Sequence, residues 1–186
     1  DFASNLVFKK LEAGQFTMEN YHSLLKMVFF QVFYSSNTFA LAGSRCGFDQ
    51  KVMRDYLIAH ADEERQHWTW IINDLKSTNY KGEDPRNLAP PKEAVAYYGY
   101  AHYLAWTEPV ARLAMALVLE GVSAEYGVTI GTKAIQVLGI TKEQATFFIG
   151  HGELDQGHAK EVLDVIRQQD ISPEGYAFLE HVARCT

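Results

Sequence analysis

The apolar positions of this chain recur with a helical period over almost its whole length. In "FTMENYHSLLKMVFFQVFYSSNTFALAG", Tyr21, Leu25, Val28 and Val32 share one face, with Thr17 as the N-cap and Gly43 as the stop. A second helix is expected from about Gln50 to Ser77, followed by a loop rich in Pro, Gly, Asn and Asp. The tyrosine-rich "AVAYYGYAHYLAW" reads as a short third helix. Thr107 with Pro109 opens a fourth, which reaches about Leu138 through several glycines. "TKEQ" at Thr141 has the capping-box pattern and predicts a fifth helix to about Gln169, and "SPEG" at Ser172 starts a sixth. Neither strand alternation nor a βαβ rhythm occurs. The expected class is all-α, as one domain over residues 1–186.

Ionisable residues interrupt three of the inward apolar rows. "HADEERQH" (His60–His67) and "HGELDQGH" (His151–His158) repeat one frame: His, an acid four residues on, and His three after that. At about 100° per residue these positions fall near 0°, 40° and −20°, one narrow stripe of a helix. The stripe of the second helix reads Met53, Tyr56, His60, Glu64, His67, Ile71, Leu75. That of the fifth reads Phe148, His151, Asp155, His158, Val162, Val165, and the fourth carries Leu113, Leu117, Glu120, Ala124. Buried acids without partners are costly, so either a closed hydrogen-bonded network or bound metal must satisfy them.

Imidazoles and carboxylates without a thiolate suit a first-row transition metal. The candidate ligands are Glu64, His67, Glu120, His151, Asp155 and His158, with His60 either a seventh ligand or a partner that orients one. Glu63 is expected to face solvent. Arg112 reads as a surface arginine, with recognition of a substrate carboxylate as the sharper alternative. The aromatic stretches read as core, and His22, His102 and His181 as surface or core residues.

Composition narrows the partners. The 186 residues carry a net charge of −6 and are 47% hydrophobic, which argues against nucleic acid and for an ample core. Cys46 and Cys185 form no CxxC pattern, consistent with a reducing cytosol. No run of eighteen apolar residues and no signal-peptide pattern occurs, so a cytoplasmic location without membrane contact is expected. The chain opens at Asp1 and stops inside the apolar pattern "YAFLEHVARC", so further terminal residues are expected.

Taken together, the all-α organisation, the late "HGELDQGH", the early Glu-x-x-His and the Glu on the helix between them resemble the haem-oxygenase-like di-iron oxidases and oxygenases. These are relatives of the TenA/PqqC superfamily. The resemblance covers "FTMENY" to "SPEGY". It implies a bundle of about seven helices and a centre assembled from two Fe(II), with O2 as co-substrate and manganese as the alternative metal. Glu64, His67, Glu120, His151, Asp155 and His158 match the family's ligand pattern. His60 departs from it, since some relatives carry Glu seven residues before the early His. The implied substrate is a small molecule such as a fatty acid, an amino acid or an aromatic metabolite, and homodimers are common in the superfamily. The alternatives are a cofactor-free PqqC-like oxidase and a non-catalytic metal-binding helical protein. A ferritin-like site lacks an acid on the first long helix, and neither cysteine is placed for thiaminase-type catalysis.

Overall fold

The computed structural model describes residues 5–186. Among them the helices are α1 (Leu6–Glu12), α2 (Met18–Arg45), α3 (Lys51–Glu64), α4 (Trp68–Ser77), α5 (Lys92–Thr107), α6 (Pro109–Leu138), α7 (Thr146–Arg167) and α8 (Pro173–Cys185). No strand occurs among the described residues. The class is therefore all-α. Seven rods result when α3 and α4, two halves of one expected helix, are taken together.

The helix ends follow local chemistry. Thr17 accepts from the Asn20 amide at 3.2 Å and caps α2, and Ser172 accepts from the Gly175 amide at 3.1 Å and caps α8. Pro109 opens α6, and Gly139, with φ +67°, closes it in the left-handed conformation that glycine tolerates. The Thr141–Gln144 capping box is present, but it holds a short 3-10 turn at Lys142–Gln144. The long helix begins only at Thr146, so the expected start is corrected by a few residues. Helix α1 has no counterpart in the expected elements. Asn5 caps it through the Val7 amide at 2.9 Å, and it buries Phe8 and Leu11.

The expected second helix does not run straight through. It breaks after Glu64 and resumes at Trp68. Short i→i+3 bonds span the break, from the His67 amide to Glu64 O at 3.2 Å and from the Trp70 amide to His67 O at 3.1 Å. Between Ala61 and Trp68 only the polar Glu64 and His67 turn inward, so no apolar packing holds the axis straight there.

Two apolar clusters make the core. One gathers Phe16, Leu25 and Phe29 of the N-terminal part with Ile71, Leu75, Ile130 and Phe148. The other gathers Phe39 with Met53, Leu57, Leu113, Met115, Val162 and Val182. Helices α2, α6 and α7 contribute to both, and the α3–α4 unit gives its first half to one and its second half to the other. The ionisable residues lie along these helices between the two clusters.

Helix α6 is central, packing against α7 most extensively and also against α1, α2, α5 and α8. It is long and apolar enough, by length and composition alone, to cross a membrane. The α6–α7 crossing is set by glycines. A Cβ on Gly127 would stand 2.9 Å from the Gly152 Cα, and one on Gly152 would stand 2.6 Å from the Val128 amide nitrogen. The two backbones therefore touch, which brings the acid of α6 close to the imidazoles of α7.

Candidate metal centre

All seven candidates are buried: His60, Glu64 and His67 from α3 and the break, Glu120 from α6, and His151, Asp155 and His158 from α7. The fold organises them around Glu64. His60, Glu64 and His158 form one triplet, and Glu64, His67 and His151 a second. Within each, one ligand atom per residue lies within 4.8 Å of the others. Glu64 belongs to both. Glu120 and Asp155 stand outside the triplets but touch them. Glu120 Oε1 is 3.1 Å from His60 Nε2, while Asp155 accepts from His151 Nδ1 at 3.2 Å and from His158 Nδ1 at 3.1 Å.

Aromatic neighbours hold the rings in place. Tyr56 stacks on His60 and brings its hydroxyl to 3.4 Å from Nδ1, while Phe39 meets His60 edge-on at 4.5 Å. Trp70 stacks on His67 at 4.7 Å, and Phe147 covers His151 at the same distance.

The charges respond to this crowding. Burial pushes Asp155 upward, but the hydrogen bonds with His151 and His158 outweigh it and hold the carboxyl well below its usual range. Burial also opposes ionisation of Glu64, yet the neighbouring His67 and His151 keep its pKa lowered. At Glu120 burial wins and the pKa rises, although His60 opposes it. Burial would lower His151, but Asp155 and Glu64 raise it. The Asp155 hydrogen bond, against burial, lifts His158 to about 9.

Four buried atoms of this cluster have no hydrogen-bond partner: His60 Nε2, His67 Nδ1, Glu120 Oε2 and His151 Nε2. The short contacts of His60 with Glu120 and of His67 with Glu64 lack hydrogen-bond alignment, so they do not satisfy these atoms. Nitrogen and oxygen donors left unpaired in a buried site fit bound cations, which would take up lone pairs that no hydrogen bond uses. The donor set has the nitrogen and oxygen chemistry of an iron or manganese site.

Beside the centre lies a cavity of about 270 Å³. Val28, Val32, Phe39, Ala116, Ile130 and Phe148 give it apolar walls, and His60, Glu64, Glu120, His151 and Asp155 face it on the polar side.

Several residues escaped sequence reasoning. Glu63 keeps 47% of its side chain exposed as expected, yet its Oε1 reaches His158 Nε2 at 3.1 Å. Tyr56 stood in the expected stripe, but its hydroxyl contact with His60 left no signal. Ser123 of α6 lies close enough to Asp155 to help keep its carboxyl ionised, and spacing alone gives no hint of it. Arg112, expected at the surface, is 1% exposed and lines the cavity. The correction has a plain cause: α6 is covered on nearly every side at that level, and the Ser35 and Thr38 hydroxyls of α2 satisfy part of the guanidinium. Of the remaining histidines, His22 pairs with Thr78 and His102 with the Tyr98 carbonyl, while His181 lies near Cys185 on the exposed side of α8.

No curated protein matches the chain. A solved structure from Shewanella denitrificans OS217, described as a domain of unknown function with a haem oxygenase-like fold, superposes with a TM-score of 0.90. It does so at 20% identity, over 99% of this chain and 79% of that one. That likeness gives the fold. The family model described as iron-containing redox enzyme matches residues 42–185, a span that runs from the end of α2 to the end of α8 and holds every candidate ligand. This chain belongs to that family of iron-containing redox enzymes, with a haem-oxygenase-like fold.

Proposed function

We propose that the protein is a non-haem di-iron oxidase or oxygenase acting on a small organic substrate held in the apolar cavity. The observation that supports this most is the sharing of Glu64 by two buried His-containing triplets beside that cavity. His60, Glu64 and His158 would hold one ion and Glu64, His67 and His151 the other, with Glu120 and Asp155 beside them as further oxygen donors. Iron bound there would supply the electrons for O2 reduction that these side chains cannot. Asp155 orients two imidazoles at once, and the Tyr56 hydroxyl steadies a third. The apolar walls exclude water from the reacting end of the substrate.

The chain Glu63–His158–Asp155–His151 is hydrogen-bonded throughout, which favours a cofactor-free proton relay as the second reading. The four unpaired buried atoms weigh against it, because a relay built for protons would use them. The cavity likewise favours catalysis over simple metal storage.

Anaerobic loading with Fe(II), metal quantification and rapid mixing with O2 test the proposal. Two irons per chain and a transient visible absorption, shortened by one class of added metabolite, are expected. Tight iron binding that is inert to O2 would favour storage, and absence of metal uptake would leave the relay.

A further inference from the structure

Arg112 places a charge in the cavity that the carboxylate–imidazole centre does not use. Its Nε donates to Thr38 Oγ1 at 2.8 Å and its Nη2 to Ser35 Oγ at 3.2 Å, and its guanidinium lies 3.8 Å over the Phe39 ring. Among the described residues no carboxylate pairs with it, and Nη1 is buried without a partner. A guanidinium offers two bidentate edges. Here two neutral hydroxyls take the Nε–Nη2 edge and fix its orientation. Nη1 is left unsatisfied, on a charged group that lines a mostly apolar chamber, where an isolated charge is costly.

We propose that Arg112 anchors the carboxylate of a small, otherwise apolar organic acid, whose hydrocarbon end is directed at the His60–Glu120 side of the cavity. This rests on the reading of the cavity as the substrate chamber. Arg112 and Glu120 are eight residues apart on α6, about 12 Å of axial rise, so anchor and centre face the chamber at different levels. In the metal-free site Glu64, Glu120 and Asp155 repel an anion at the centre, whereas Arg112 attracts one at its own level in either form. A volume of 270 Å³ equals about nine waters, enough for an acid of roughly that many non-hydrogen atoms. A phosphate monoester would bring two charges against one cation in an apolar chamber, which disfavours it.

The test compares phenylacetate with the isosteric phenylacetamide by titration calorimetry, on metal-free and on Fe(II)-loaded protein. Phenyl phosphate serves as a third probe. The acid is expected to bind roughly tenfold to a hundredfold tighter than the amide in both forms. Arg112→Met should abolish that preference and Arg112→Lys should keep part of it, while iron stoichiometry stays as in the wild type. Equal binding of acid and amide by the wild type, or failure of both to bind, overturns the proposal, and neither result needs a variant to fold. So does a preference that survives in Arg112→Met, or tighter binding of phenyl phosphate than of the acid. A preference seen only after iron loading would assign the carboxylate to the metal instead and would also overturn it. Absence of iron uptake with the preference intact would remove the di-iron reading and leave Arg112 as the anchor, so the two failures are distinct.

Discussion

The carboxylate of Asp74, on α4, caps α7 at Thr146, seventy-two residues further along the chain. Oδ1 accepts from the Thr146 amide at 3.0 Å and from its hydroxyl at 2.6 Å, and Oδ2 accepts from the Phe147 amide at 2.9 Å. Ala145, the local cap position, has no side-chain acceptor to offer. A fully buried acid on another helix thus satisfies the first donors of the helix that carries His151, Asp155 and His158. Asp74→Ala is expected to cost about 2–4 kcal/mol of stability and Asp74→Asn less, since the amide keeps one acceptor. Urea denaturation of the metal-free protein measures this. A loss below about 0.5 kcal/mol for Ala would show that the cap is dispensable.

The glycines of α7 divide by position. Gly152→Ala forces a Cβ against the Val128 backbone and is expected to destabilise by about 1–3 kcal/mol while weakening iron binding. Gly157 has nothing within 4 Å of its would-be Cβ, so Gly157→Ala should stabilise by about 0.5–1 kcal/mol. Thermal unfolding of the two variants side by side gives opposite signs if the crossing is as tight as described.

Proton linkage follows from His158. Its pKa is lifted from 6.5 to about 9, so in the metal-free chain its protonated ring favours the folded state. That contribution is complete below about 6.5 and is lost as the pH rises through about 9. His158→Gln should flatten this part of the urea midpoint profile. Coordination by His158 needs the neutral ring, so Fe(II) binding near pH 7.5 should release about one proton more from the wild type than from His158→Gln. Equal release, followed with a pH indicator in weak buffer, would show that His158 stays protonated and is no ligand.

Sharing makes Glu64 unlike the other candidate ligands. Glu64→Gln is expected to lose both irons, whereas His67→Ala and His60→Ala should each lose one. Anaerobic iron stoichiometry with a circular dichroism control decides. His151→Ala or Asp155→Ala should lower occupancy with helix content preserved. Collapse of the fold in those variants would instead make the cluster structural.

Much of this was legible in the chain. The inward rows of the helices that carry the candidate ligands appear as periodicity, because a row of apolar side chains broken by His and acid has few other readings. The burial of His60, Glu64, Glu120, Asp155 and their neighbours follows from those rows. What stayed hidden depends on contacts between distant segments. The break at Arg65–His67 arises because no apolar neighbour covers that turn. The cap of α7 comes from another helix and leaves no local pattern. Arg112 is buried because α2 offers Ser35 and Thr38 more than seventy positions away. Even the sharing of Glu64 needed the bend, which turns His67 into one triplet and leaves His60 in the other.

The glycine contact between α6 and α7 has a mechanical consequence. With backbones touching at Gly127 and Gly152, these helices form a single stiff girder that carries Glu120, His151, Asp155, His158 and Arg112. His60, Glu64 and His67 ride on the opposite wall, across a kinked joint. Any change in spacing between the two groups of candidate ligands therefore falls to that joint, while the girder keeps Arg112 and four of the seven candidates at constant separation.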